Sequence, residues 1–309
     1  MIRVPARWGS VVTVLLALAL LPAAAESAPD VATRGAYLFK IAGCASCHTD
    51  EKHRGPPLAG GRKIETPLGV FYSPNITPDP KFGIGRWSDD DFIRALRVGL
   101  SPTGAHYYPA FPYTSYTWMQ DEDMRALKAY LFTLPPVPQA NKPHALPWYL
   151  QFRPTLKIWK ALYFTQGPFI PQADKSPVWN RGAYLTTAIA HCRECHTPRN
   201  ILGGFKHGLD NAGTDNGPED SVVPNITRDK KTGIGRWSQA ELMDYLQSGA
   251  TPDGDYAGGL MGEVIDNSLR HLQKEDLAAI AAYIVSLPPI EHAVRAKDKK
   301  PRAKKNEFE

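Results

Sequence analysis

The sequence predicts an all-α protein built from two tandem copies of one helical domain, joined by a linker rich in proline and aromatic residues. Three observations predict it. A Cys-x-x-Cys-His motif occurs twice, as Cys44-Ala-Ser-Cys47-His48 and as Cys192-Arg-Glu-Cys195-His196. Short signatures around it recur about 150 residues apart: Arg34 to Leu38 returns as Arg181 to Leu185, Pro74-Asn-Ile-Thr77 as Pro224 to Thr227, and Gly83-Ile-Gly-Arg-Trp-Ser88 as Gly233 to Ser238. No alternating apolar run is long enough to require a sheet.

Residues 1–25 read as a secretory signal, with Arg3 and Arg7 at its charged start, Val11 to Leu21 as its apolar stretch and Ala23 to Ala25 as a small-residue cleavage site. The apolar stretch falls short of the roughly 20 residues that span a bilayer, so cleavage and a periplasmic location are expected. The first domain is expected over 26–136. Its first helix, about Val31 to Ala42, runs into the first motif, and a long Gly- and Pro-rich loop then reaches Ser88. Ser88-Asp-Asp-Asp91 looks like a capping box, and Gly99 sits where that helix would end in the left-handed conformation. A last helix, Asp121 to Thr133, stops at Pro135-Pro136, which cannot continue it.

Residues 137–176 form the linker, too apolar to be a free tether because of Trp148, Tyr149, Phe152, Trp159, Tyr163 and Phe164. It is expected to wrap across and fix the two domains; docking onto a partner or a membrane surface is the alternative role. The second domain, 177–292, repeats the plan: a helix from Trp179 to Ala190, the second motif, a capping box at Ser238-Gln-Ala-Glu241, Gly249, and a last helix from Lys274 to Ser286. Gly35 with Tyr130, and Gly182 with Tyr283, are placed for a close crossing of first and last helices. Residues 293–309 are a basic tail with almost nothing to bury, expected to be disordered.

At 309 residues, with 43% apolar and 22% charged residues, the chain can bury ordinary cores. Of its formal charge of +5, the tail from Arg295 holds +4 and Arg3 with Arg7 hold +2, leaving a body near −1. A body so close to neutral excludes a broad nucleic-acid-binding face.

Two cysteines three apart reach both vinyl groups on one edge of a haem, and the following His is then held beneath the iron. Two covalent c-type haems are therefore expected, at Cys44 and Cys47 and at Cys192 and Cys195, with His48 and His196 as proximal ligands. The competing readings are an all-thiolate zinc site and a thioredoxin-like dithiol; the first explains neither His, and the second wants a βαβ context that is absent. On the far side, a Met thioether would close the iron to other ligands. Met261, in the Gly-rich segment Gly258 to Gly262, is the candidate for the second iron. Met119 is the candidate for the first, although aligning the last helices pairs it with Leu272; His106 or an open site are its competitors. Arg86-Trp87 and Arg236-Trp237 are candidate donors to haem propionates.

Taken together, Pro74 to Thr77, Gly83 to Ser88, Tyr108-Pro-Ala-Phe-Pro-Tyr113, Ser176 to Tyr184 and His191 to Asn200 resemble the dihaem cytochrome c family, related to the cytochrome subunits of bacterial membrane-associated dehydrogenases for alcohols and gluconate. The resemblance runs from about Ala32 to Pro289. It implies two class I cytochrome c folds relaying single electrons from a dehydrogenase toward a downstream cytochrome, quinone or oxidase of the respiratory chain. Such subunits often carry a third CxxCH domain, and relatives can carry Met in place of Phe111, which cannot ligate iron. The alternative function is a dihaem redox enzyme, of peroxidase or thiosulfate dehydrogenase type, with one open or unusually ligated haem.

Overall fold

A computed structural model describes residues 28–295. The expected signal segment and all but the first residues of the basic tail lie outside the described residues. The chain opens with α1 (Ala28–Ile41) and α2 (Cys44–His48), the latter carrying the first motif. A hairpin of β1 (Lys63–Thr66) and β2 (Gly69–Tyr72) follows, with Lys63 opposite Tyr72 and Thr66 opposite Gly69. Then come α3 (Asp89–Val98), α4 (Tyr113–Tyr116) and α5 (Asp121–Leu131). Between 137 and 176 the chain forms α6 (Thr155–Tyr163). The remainder comprises α7 (Pro177–Tyr184), a π-helical turn over Leu185–Ile189, α8 (Arg193–His196), α9 (Gln239–Ser248), α10 (Gly259–Asn267) and α11 (Lys274–Ile284).

The hairpin corrects the expectation that no sheet is present. Its pattern spans only four residues per strand, and what steadies it is far away in sequence: Val70 and Ala145 exchange both backbone hydrogen bonds at 2.9 Å. A short apolar alternation carries no signal of such a distant partner. Two further differences concern helices. The second copy's first helix is not continuous to Ala190 but widens into the π turn, where Ala190 N–H reaches back to the Leu185 carbonyl at 2.8 Å. Gly258 to Gly262, read as a loop, is instead the start of α10, so Met261 lies in that helix's first turn.

Other local expectations hold. Ser88 and Ser238 both close capping boxes, with Asp91 and Glu241 at N3, and Gly99 and Gly249 end α3 and α9 with φ of 64° and 83°. Satisfying orphan donors and carbonyls in this way sets where each helix starts and stops. The first and last helices cross in contact, α1 on α5 and α7 on α11. A Cβ on Gly35 would lie 1.9 Å from the Ala126 carbonyl oxygen, and one on Gly182 would lie 1.9 Å from that of Ala279. Only glycine allows backbones so close.

The larger of two apolar clusters runs through both halves, joining Leu38, Ile41, Met124 and Leu127 to Leu185, Ile189, Leu277 and Ile280. Two matching polar links accompany it. Tyr37 donates to Asp276 at 2.7 Å and Tyr184 donates to Asp123, while Arg181 pairs with Asp276 at 2.7 Å and Arg34 with Asp123 at 2.6 Å.

Residues 137–176 are held at many points. Asn75 donates to the carbonyls of Val137 and Gln139, Lys160 to those of Val98 and Gly99, and Trp159 to that of Leu202. Among the described residues no helix is long and apolar enough to cross a membrane.

Candidate functional site

Both CxxCH motifs face one cavity of about 980 Å³. Cys44, Cys47 and His48 line it from the first half, and Cys192, Cys195 and His196 from the second. Most of the rest of the wall is apolar, including Ile76, Ile84, Leu96 and Leu127 on one side and Ile226, Ile234, Leu246 and Ile280 on the other. The cavity has room for a large apolar group, and the cysteines stand at its wall.

The turn into each motif needs a left-handed residue. Gly43, with φ of 65°, supplies it before Cys44, and His191, with φ of 41°, supplies it before Cys192. The short helices α2 and α8 then bring each histidine around to the cavity. His48 Nδ1 donates to the Pro74 carbonyl at 2.7 Å, and His196 Nδ1 donates to the Pro224 carbonyl at 2.8 Å. A carbonyl can only accept, so Nδ1 carries the proton and Nε2 keeps its lone pair. Burial lowers both imidazole pKa values, with the carbonyl bonds opposing, and so favours the neutral form that binds a metal. Sequence reasoning found Pro74-Asn-Ile-Thr77 as a repeat without seeing this role. Asn75 and Asn225, 2% and 1% exposed, fix the proline segments by accepting from the Thr77 and Thr227 amides at 2.9 and 2.8 Å.

The thiols do not fit the competing readings. Burial pushes Cys44 and Cys192 up to about 12 and Cys195 to about 11, whereas reactive dithiols are depressed. No three or more His, Cys, Asp or Glu side chains converge to hold a metal ion among the described residues, so the four cysteines do not form a zinc cage. Neutral thiols at the wall of an apolar cavity and imidazoles with a free Nε2 fit a covalently held haem.

Met261 lines the cavity. Met119 does not: it is 1% exposed, packed in the core, and its carbonyl accepts from Arg97 at 2.7 Å. His106 is also absent from the cavity wall, and its Nδ1 is buried without a partner. Trp87 and Trp237 stand at the wall, while Arg86 and Arg236 beside them are exposed. Sequence reasoning missed Glu194, inside the second motif. Its carboxylate accepts from Thr114 at 2.7 Å and Ser115 at 2.5 Å and pairs with Arg199, tying α8 to α4.

Comparison with known proteins points the same way. Residues 32–135 match the family model of cytochrome c. The chain is 44% identical over 264 residues to a protein of Cereibacter sphaeroides named diheme cytochrome c-type, covering 84% of this chain and 87% of that one. It is 42% identical to the gluconate 2-dehydrogenase cytochrome c subunit of Pantoea cypripedii, covering 82% of this chain and 59% of the relative. It is also 42% identical to the fructose dehydrogenase cytochrome subunit of Gluconobacter japonicus, covering 83% and 52%. This chain therefore spans little more than half the length of those two dehydrogenase subunits.

Proposed function

The chain belongs to the cytochrome c family, alongside dihaem cytochromes c and the cytochrome subunits of dehydrogenases, and from that premise we propose that it is an exported dihaem electron carrier. The observation that supports this best is the pair of motifs facing one cavity, each with its histidine held by a proline carbonyl. Cys44 with Cys47, and Cys192 with Cys195, would each attach one haem, every thiol adding across one vinyl group. When bound, each haem supplies one-electron chemistry at its iron.

The protein's own residues do the rest. His48 and His196 would each offer Nε2 to an iron, and the carbonyls of Pro74 and Pro224 hold the rings and raise their basicity. Met261 is assigned as the soft ligand on the second iron. Trp87 and Trp237, with Arg86 and Arg236 next to them, are assigned as donors to the haem carboxylates. The largely apolar wall would limit the solvent that has to reorganise when charge arrives or leaves. Residues 26–136 and 177–292 are read as two class I cytochrome c domains, and 137–176 as the linker that fixes them. Residues 1–25 would direct export to the periplasm, where a dehydrogenase would donate electrons and a downstream cytochrome, quinone or oxidase accept them.

Denaturing mass spectrometry of the mature protein should give the polypeptide mass plus two haems. A reductive titration should take up two electrons, and the reduced protein should pass them to mitochondrial cytochrome c with no small-molecule substrate. An apo-mass chain, or steady turnover of thiosulfate or peroxide by the isolated protein, would overturn the carrier reading.

A further inference from the structure

The two sites share the motif, the histidine-holding carbonyl and the segment after Gly99 and Gly249, and they differ at a decisive position on the wall. Tyr107 N–H donates to the Gly99 carbonyl at 2.9 Å, and Ala257 N–H donates to the Gly249 carbonyl at 2.8 Å. Isolated bridges join Leu100 to His106 and Ala250 to Tyr256. Each member of these pairs is separated from its counterpart by 150 positions, so the segments run in register. Phe111 then occupies the place of Met261, and both line the cavity.

Phe111 has no lone pair to offer a metal. Its ring is packed by Tyr107 and Tyr116 at centroid distances of 5.5 and 5.7 Å, so an aromatic wall stands where the second half has a thioether. Among the described residues no methionine of the first half lines the wall: Met119 lies outside it, and Met124 is fully buried in the core. The rings of the other two wall histidines are held by protein contacts. His144 Nδ1 accepts from the Tyr72 amide at 3.2 Å, with the ring set against Phe71 and Tyr108. His191 is bonded to the backbone of Ala42 and packed edge-on against Tyr116.

We propose that the first iron keeps an exchangeable coordination position on the Phe111 side, selective for small neutral diatomic ligands such as carbon monoxide or nitric oxide, while Met261 closes the second iron. The inference rests on the reading of His48 as an iron ligand. The selectivity follows from the wall: Phe111 and the ring faces of Tyr107 and Tyr116 replace little of the hydration that a charged ligand would lose, whereas a neutral diatomic has little hydration to lose.

The test is a carbon monoxide titration of the dithionite-reduced, full-length mature protein, read from its visible spectrum. The wild type should bind one carbon monoxide per chain. Phe111→Met should lose that binding by supplying a thioether, and Phe111→Leu, which stays apolar and cannot ligate, should retain it. Met261→Ala should raise the stoichiometry to two. No binding by the wild type, unchanged binding by a folded Phe111→Met variant, or a new binding site created by Met119→Leu would each overturn the proposal. Haem count on the same samples separates the two readings. Fewer than two haems defeats the dihaem assignment, while two haems with no carbon monoxide uptake defeats only the exchangeable first site.

Discussion

Asn75 shows how much one buried side chain organises. Its amide oxygen accepts from the Thr77 amide at 2.9 Å and the Thr77 hydroxyl at 2.7 Å, and its amide nitrogen donates to Val137 and Gln139 at 2.8 and 3.0 Å. It thereby holds both the Pro74 carbonyl that orients His48 and the chain leaving α5. Asn75→Ala would strand several buried polar groups at once, so it should destabilise the fold by about 3 kcal/mol, measured as a lower urea midpoint. Asn225→Ala should behave similarly, since Asn225 donates to Ile290 at 2.7 Å in the corresponding place. An unchanged midpoint for both would show that the segment is held otherwise. At this scale the cysteines and histidines were legible because covalent attachment demands that spacing. The asparagines were legible only as a repeat, because the backbone carbonyls they donate to lie more than 60 residues away.

Helix ends follow from neighbours in sequence, which is why Ser88, Ser238, Gly99 and Gly249 are legible as caps from the residues alone. The close crossings were legible for the same kind of reason: a glycine repeated at the same place in both first helices marks a backbone contact. Gly35→Ala should force α1 away from Ala126 and cost more than about 3 kcal/mol, with a matching loss of haem-loaded protein because α1 leads directly into Cys44. A variant with wild-type thermal stability would refute the packing argument. What sequence could not supply was register between distant elements. The last helices align Met119 with Leu272, an offset of 153, whereas the segments after Gly99 and Gly249 align Phe111 with Met261, an offset of 150. The repeat therefore changes length by three residues between these points, and only the backbone pairing decides which alignment applies at the cavity. The hairpin escaped for a related reason, since Ala145 completes it from far along the chain.

Across the whole molecule, the halves meet through two equivalent clusters, each a tyrosine from one half on an aspartate from the other. Tyr37 serves Asp276 and Tyr184 serves Asp123, and the amides of Gln273 and Gln120 donate back to the same phenols at 3.3 and 3.2 Å. Each aspartate also keeps an arginine from its own half. Replacing both tyrosines by Phe therefore removes the cross-links without leaving either carboxylate bare, and each lost bond to a charged acceptor should cost roughly 2 kcal/mol. Because the clusters correspond, Tyr37→Phe and Tyr184→Phe should cost similar amounts singly. Burial first, and then the aspartates, raises both phenols well above their ordinary value of 10.0. The folded chain thus keeps protons that the unfolded chain begins to release near that pH. The stability these phenols contribute is complete below about pH 10 and declines as pH rises beyond it. Urea midpoints of the wild type should fall between neutral and strongly alkaline pH, and the double Phe variant should show a smaller fall. An equal fall in both would mean that other buried tyrosines, such as Tyr113 and Tyr116, carry the alkaline sensitivity and that these cross-links do not couple the halves.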